Sequence, residues 1–304
     1  MTRKTRLGVP TILGIPFDGE SSYLRGAADA PQKIRVAMRC DASNMWTELG
    51  VDVGAEGAFE DAGDLEFGAL AGGKESPHFS QNRGEVGHPS QLGHPTPEKT
   101  FAEIEARVGA LIDAGKRPVL LGGDHSITFP IVKAFAKDNQ GRSRHSGLTI
   151  FHFDAHPDLY DEFEGNRLSH ACPFARIMEA GLATRLVQIG IRTATQPQRE
   201  QARKFGVEAV EVRALPAFAK LKANGLVYVT FDMDVLDPAF APGVSHREPG
   251  GMTVREAIAH LHSIEGEIVG ADLVEYNPVQ DVLGMTATVA AKILKEILGK
   301  MIQT

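Results

Sequence analysis

Apolar, β-branched runs alternate along the chain with stretches of helical period. The runs fall at residues 11–17, 118–121, 148–153, 185–191, 207–212, 227–231 and 267–274. Stretches with apolar positions three and four apart lie at 97–114, 126–136, 172–180, 198–205, 254–262 and 287–298. Alternation of this kind predicts a three-layer α/β/α fold around a central, mainly parallel sheet, since crossovers between parallel strands carry helices onto both faces. Ligands of such sheets bind beyond the carboxyl ends of the strands. One stretch breaks the rhythm. Residues 68–100 are rich in Gly, Ser and Pro and lack an apolar period, which predicts a flexible loop within a single domain spanning 1–304. Its His78, His88 and His94 are spaced like no known ligand set.

Polar residues become informative where the apolar runs end. Gly122-Gly123-Asp124-His125 follows the second run, Asp154-Ala155-His156-Pro157-Asp158 the third, and Asp232-Met233-Asp234 the sixth. If the extended conformation continues through these segments, alternate residues share a face, so Asp154, His156 and Asp158 converge, as do Asp232 and Asp234. With His125 they make a candidate set of two imidazoles and four carboxylates. Without cysteine, that set suits a pair of hard or borderline ions such as Mn²⁺ better than a structural zinc. Two such ions ionise a shared water near neutral pH, and hydrolysis is the reaction this favours. His170 lies on the loop after the second cluster and is the candidate proton donor to a leaving group. Glu275 follows the last run, where a carboxylate can take two hydrogen bonds from a planar cation.

The formal net charge of -7 and pI near 5.9 argue against nucleic acid or an anionic membrane as partner. No window reaches the roughly 18 to 20 apolar residues that span a bilayer. The two cysteines, Cys40 and Cys172, lack paired spacing, and the first ten residues lack a signal-length apolar stretch. A soluble, unprocessed, cytoplasmic protein is expected. Cys172, two residues after His170, is expected to be a small buried residue at a helix start, not a reactive thiol.

From about Thr11 to the C-terminus, outside 68–100, the chain resembles the ureohydrolase family of arginases, agmatinases and guanidinobutyrases. The resemblance rests on Gly-Gly-Asp-His-Ser at 122–126, Phe-Asp-Ala-His-Pro-Asp at 153–158 and Phe-Asp-Met-Asp-Val-Leu-Asp-Pro-Ala-Phe-Ala-Pro-Gly at 231–243. It implies two Mn²⁺ per subunit, with His125 and Asp158 on one, His156 and Asp234 on the other, and Asp154 and Asp232 bridging. It also implies that Glu275 binds a small guanidino substrate, that His170 shuttles a proton to the departing amine, and that Asp124 and Asp237 support the site without ligating. The resemblance further implies a homo-oligomer, trimer or hexamer. The loops at 162–170 and 243–251 look most like those of plant-type arginases. L-arginine carries a carboxylate that agmatine lacks, and Asn166, Ser245, His246 and Arg247 are the candidate donors to it. Hydrolysis of L-arginine to urea and L-ornithine is therefore expected, with agmatine as the alternative. A guanidinobutyrase, a single-metal deacetylase-like hydrolase and a non-catalytic homologue are weaker readings, because none of the six ligands is missing.

Overall fold

A computed structural model describes residues 8–67, 96–136, 147–215 and 221–303. Each apolar run folds as a strand: β1 (Pro10–Gly14), β3 (Arg117–Leu121), β4 (Thr149–Phe153), β5 (Arg185–Ile191), β6 (Glu208–Glu211), β7 (Lys222–Asp232) and β8 (Glu265–Val274). An eighth, β2 (Glu60–Asp64), was not expected, because its sequence Glu-Asp-Ala-Gly-Asp has no apolar residue larger than alanine. The strands form one sheet of order β2-β1-β3-β8-β7-β4-β5-β6, and every pairing is parallel. Burial explains what the sequence revealed. Strands β3 and β4 are buried at every position and read as continuous apolar runs, whereas the edge strand β2 is largely exposed and acidic, which also blunts edge-to-edge pairing.

The helices are α1 (Ala30–Met38), α2 (Pro97–Asp113), α3 (Thr128–Ala136), α4 (Pro173–Glu179), α5 (Gln196–Phe205), α6 (Val254–Ser263) and α7 (Met285–Gln303). On one face Ile34 of α1, Ile258 and Leu261 of α6, and Ile293, Leu294 and Ile297 of α7 pack with Val119, Phe151, Val229 and Phe231. On the other, Ile104, Ile131, Phe135, Phe174 and Ile177 from α2, α3 and α4 pack against Leu120, Ile150 and Tyr228. Helix α1 was missed, although Ala30, Ile34 and Met38 recur every four residues and are buried. Residues 97–100, which fall both in the irregular stretch and in the helical stretch 97–114, open α2, with Pro97 at the first position where its missing N–H costs nothing. The rest of that stretch, with His78, His88 and His94, lies outside the described residues.

Candidate metal centre

The four central strands β3, β8, β7 and β4 are neighbours, and their carboxyl ends carry the three clusters and Glu275 side by side. After β3 the chain passes so close to another segment that a Cβ at Gly123 would collide with the carbonyl oxygen of Phe17. This tight passage delivers Asp124 and His125 to the centre.

The extended conformation expected through Asp158 does not occur. Strand β4 stops at Phe153, and Asp154 turns the chain by accepting the His156 N–H at its Oδ1, 2.6 Å away. Asp232 does the same for Asp234 at 2.7 Å, opening a short 3-10 turn, and Asp124 for Ser126 at 3.1 Å. In each Asx turn, one carboxylate oxygen satisfies a backbone donor two residues on. For Asp154 and Asp232 the other oxygen is aimed at His125. Asp158 and Glu275 adopt left-handed backbone (φ 46° and 61°), which non-glycine residues seldom tolerate outside functional positions.

Asp154 Oδ2, Asp158 Oδ2 and Asp232 Oδ2 approach His125 Nδ1 to 3.2, 3.0 and 3.2 Å. On the other side of the ring, Nε2 lies 2.9 Å from Thr230 Oγ1. Nδ1 thus faces three carboxylates, and a bound cation would take the place of its proton. That buried atom has no well-formed hydrogen bond. Asp154 serves a second group as well: His156 Nδ1 lies 3.5 Å from its Oδ1 and 2.9 Å from Asp234 Oδ2. All six expected ligands thus come together around two imidazole nitrogens, with Asp154 common to both groups.

Electrostatics without a metal are those of a cluster short of positive charge. Burial, followed by Asp234 and Asp154, pushes the Asp232 carboxyl well above its ordinary range. Burial opposes charge on His125, yet Asp154, Asp158 and Asp232 together raise its affinity for a proton well above that of a free imidazole. Protons therefore occupy the position a cation suits, and a divalent ion would displace them.

His170 is buried beside this centre. Its Nδ1 lies 3.0 Å from Glu275 Oε1, which also accepts the His125 N–H at 2.9 Å, and its Nε2 lies 2.8 Å from Ser22 Oγ. Burial disfavours its charge, but Glu275 outweighs this and raises the His170 pKa to about 9. Of the candidates for the substrate tail, His246 lies at the centre: its ring centroid is 5.3 Å from that of His170 and 5.9 Å from that of His156. The Asn166 amide donates to Glu20 Oε2 at 2.6 Å. Ser245 is committed elsewhere, donating to the Leu24 carbonyl and accepting from Asn277. The Arg247 guanidinium binds the Pro242 carbonyl at 2.8 Å and Gln280, so Asn166, Ser245 and Arg247 are each engaged by the protein itself. Asp124 and Asp237 hold loops: the first binds Glu20, Ser21 and Ser126, the second the N–H groups of Ala239, Gly250 and Gly251. Cys172 is buried at the start of α4, and burial pushes its thiol up to about 12, as befits an inert residue.

Several participants escaped the sequence reading. His152, inside the apolar run of β4, is fully buried with Nε2 2.7 Å from Asp154 Oδ2. Gln188 donates to its Nδ1 at 3.1 Å and to the Pro157 carbonyl at 2.5 Å, which fixes the imidazole as an N–H donor to Asp154. Its position two residues before Asp154 was the available signal. Arg192 donates to the carbonyls of Asp234, Val235 and Glu248 and ties the 244–250 loop to the centre. Glu20, Ser22 and Thr230 carry no motif and are recognisable only in three dimensions.

Fold and cluster together define an α/β/α protein whose donor set suits divalent metal at the carboxyl ends of a parallel sheet. The Arginase family model matches residues 10–299, and the chain belongs to that family. It is 42% identical to "Arginase, mitochondrial" of Medicago truncatula over 301 residues, covering 96% of this chain and 81% of the relative. The solved arginase from Medicago truncatula superposes with a TM-score of 0.83, covering 97% of this chain and 87% of that one. "Arginase 2, chloroplastic/mitochondrial" of Arabidopsis thaliana is 40% identical, with coverages of 95% and 80%. "Agmatinase" of Bacillus subtilis is 32% identical, with coverages of 94% and 90%. The two plant arginases are named mitochondrial and chloroplastic/mitochondrial, which overturns the expected cytoplasmic location. Sparse cysteines argue only against an oxidising compartment and do not discriminate among reducing ones. Among the described residues, no helix is long and apolar enough to cross a membrane.

Proposed function

We propose that the protein is a hydrolase of the arginase type, cleaving L-arginine to urea and L-ornithine with two Mn²⁺ ions per subunit. One observation carries the metal reading: a buried imidazole nitrogen without a well-formed hydrogen bond facing three carboxylates, one of them shared with a second imidazole–carboxylate group. Such a set is repulsive until cations enter it, and its oxygen and nitrogen donors fit Mn²⁺. His125 and Asp158 would hold one ion, His156 and Asp234 the other, and Asp154 and Asp232 both. When bound, the ions supply an ionised water near neutral pH and polarise the substrate.

The protein's own groups do the rest. Glu275 offers a buried carboxylate to the guanidinium and keeps His170 protonated. His170 gives that proton to the departing amine, which would otherwise leave as an unstable anion. His246, beside the His170 and His156 rings, would face the tail of the substrate, and Asn166 could reach it only by leaving Glu20. Arginase relatives at 40–42% identity support L-arginine. Agmatine is the second reading, favoured by the engagement of Ser245 and Arg247 elsewhere, which leaves fewer donors for a carboxylate. Urea release by the Mn²⁺-loaded protein, with kcat/KM compared for L-arginine, agmatine and 4-guanidinobutyrate, tests this. The highest value is expected for L-arginine, and preference for agmatine would transfer the assignment. The reading also includes a single domain and a homo-oligomer, trimer or hexamer; a monomer by light scattering would remove the latter.

A further inference from the structure

A proton donor that is buried must be recharged after each turnover, and His170 is only 8% exposed. Of its two ring nitrogens, Nδ1 faces Glu275, which is also buried and holds the His125 N–H. Exchange through that side would pass into the centre, not out to water. Nε2 is the remaining route, and 2.8 Å from it stands the hydroxyl of Ser22, an exposed residue. A hydroxyl donates and accepts at once, so it can pass a proton on without becoming charged.

The strap carrying Ser22 is fixed to the same elements as His170. The Glu20 N–H donates to Asp124 Oδ2 at 2.8 Å, the Ser21 hydroxyl lies 3.4 Å from the same oxygen, and the Glu20 carbonyl accepts the His170 N–H at 3.2 Å. Backbone and side chain of His170 are thus both tied to residues 20–22, which holds the Ser22 hydroxyl in register with the ring.

We propose that Ser22 is the proton relay between solvent and His170, a role that rests on the arginase-type reading for its catalytic meaning. With substrate bound, His170 Nε2–H points to the leaving nitrogen and gives up its proton, leaving a neutral ring with a lone pair on Nε2. Once the amine departs, that lone pair returns to Ser22. The Ser22 O–H proton moves to Nε2 while a water proton replaces it on the oxygen, so the ring regains its charge and hydroxide is left in solvent, to be neutralised by buffer. The serine is unchanged at the end of each cycle.

The test is Ser22→Ala in the Mn²⁺-loaded protein at low buffer concentration. A fall in kcat on the order of tenfold is expected, a part of the roughly 10²–10⁴ that a general acid contributes, with KM unchanged. Added imidazole, which can carry protons through the opened space, and Ser22→Thr, which keeps the hydroxyl, should each restore most of the loss. Wild-type kcat in Ser22→Ala, or a loss that neither measure restores, would overturn the relay. A second readout needs no substrate: solvent exchange of the His170 Nε2 proton, followed by NMR on the histidine-labelled full chain with Mg²⁺ in place of paramagnetic Mn²⁺. Exchange should slow in Ser22→Ala, and unchanged or faster exchange would refute the proposal. If the wild-type protein releases no urea, the functional reading fails and the exchange measurement alone decides the relay.

Discussion

At the β2 edge, Asp61 and Asp64 face Arg35, Arg39 reaches Asp61, and Glu60 faces Lys116, so each carboxylate has a cation at hand near solvent. At the carboxyl ends of the central strands, Asp154, Asp158, Asp232 and Asp234 are buried together, and among the described residues none pairs with a lysine or arginine side chain. Both regions are acidic in sequence. In the first the chain supplies the compensating charge, and in the second it withholds it. A buried carboxylate cluster without lysine or arginine partners reads as a place for an external cation, whereas the exposed, paired cluster stabilises little.

The contrast is broken most severely by Asp232→Ala. Loss of bound metal and of urea release is expected, by metal analysis and assay. The chelated variant should melt slightly below the chelated wild type, since the Asp232 carboxyl holds a proton there and its loss removes only the hydrogen bond to the Asp234 N–H. A full metal complement with full activity would contradict the assignment.

Glu275→Gln tests the pair beside the cluster. In the metal-free protein the pKa of His170 is raised to about 9, above the roughly 6.5 of an unfolded histidine. Its contribution to stability is therefore complete below about 6.5 and lost as pH rises through about 9. Without the Glu275 charge the midpoint should move down, as followed by histidine NMR, and that loss should begin at lower pH. A midpoint that stays in place would mean that another group holds the proton.

His152→Phe probes a smaller effect. The ring stacks on Phe174 at 3.9 Å between centroids, so phenylalanine keeps an aromatic surface while removing the donor to Asp154. Metal affinity should fall by roughly 10- to 100-fold, as when outer partners of ligands are removed, measurable by competition with a chelator. Unchanged affinity would make His152 mere packing.

Asp61→Asn at the edge should do least. A change of about 0–1 kcal/mol in stability is expected for a pair of this kind, with metal content and kcat unaltered. A larger effect on either would erase the distinction between the two regions.

How much of this was legible in the chain follows from burial. Strands β3, β4 and β5 are apolar because helices cover both faces, and their periodicity could be read directly. Edge strand β2 has one neighbour and an exposed acidic sequence, so pairing alone defines it. The six candidate ligands were legible because Asx turns impose short local spacings. Ser22 and Thr230 were not, since their partners lie 148 and 105 residues away and a lone hydroxyl has no periodicity. Arg247 illustrates the opposite error: its charge suited a substrate carboxylate, but nearby backbone carbonyls engage it.

Strand β8, late in the chain, lies in the middle of the sheet between β3 and β7. Without it the sheet is two halves, β2-β1-β3 carrying His125 and β7-β4-β5-β6 carrying all four aspartates. On the ribosome both halves emerge before the strand that joins them. Residues 265–274 act as a late zip that brings His125 to the four aspartates only when synthesis is nearly finished. A nascent chain stalled short of β8 therefore holds all six candidate ligands yet lacks the group around His125, while His156, Asp154 and Asp234 already share one half.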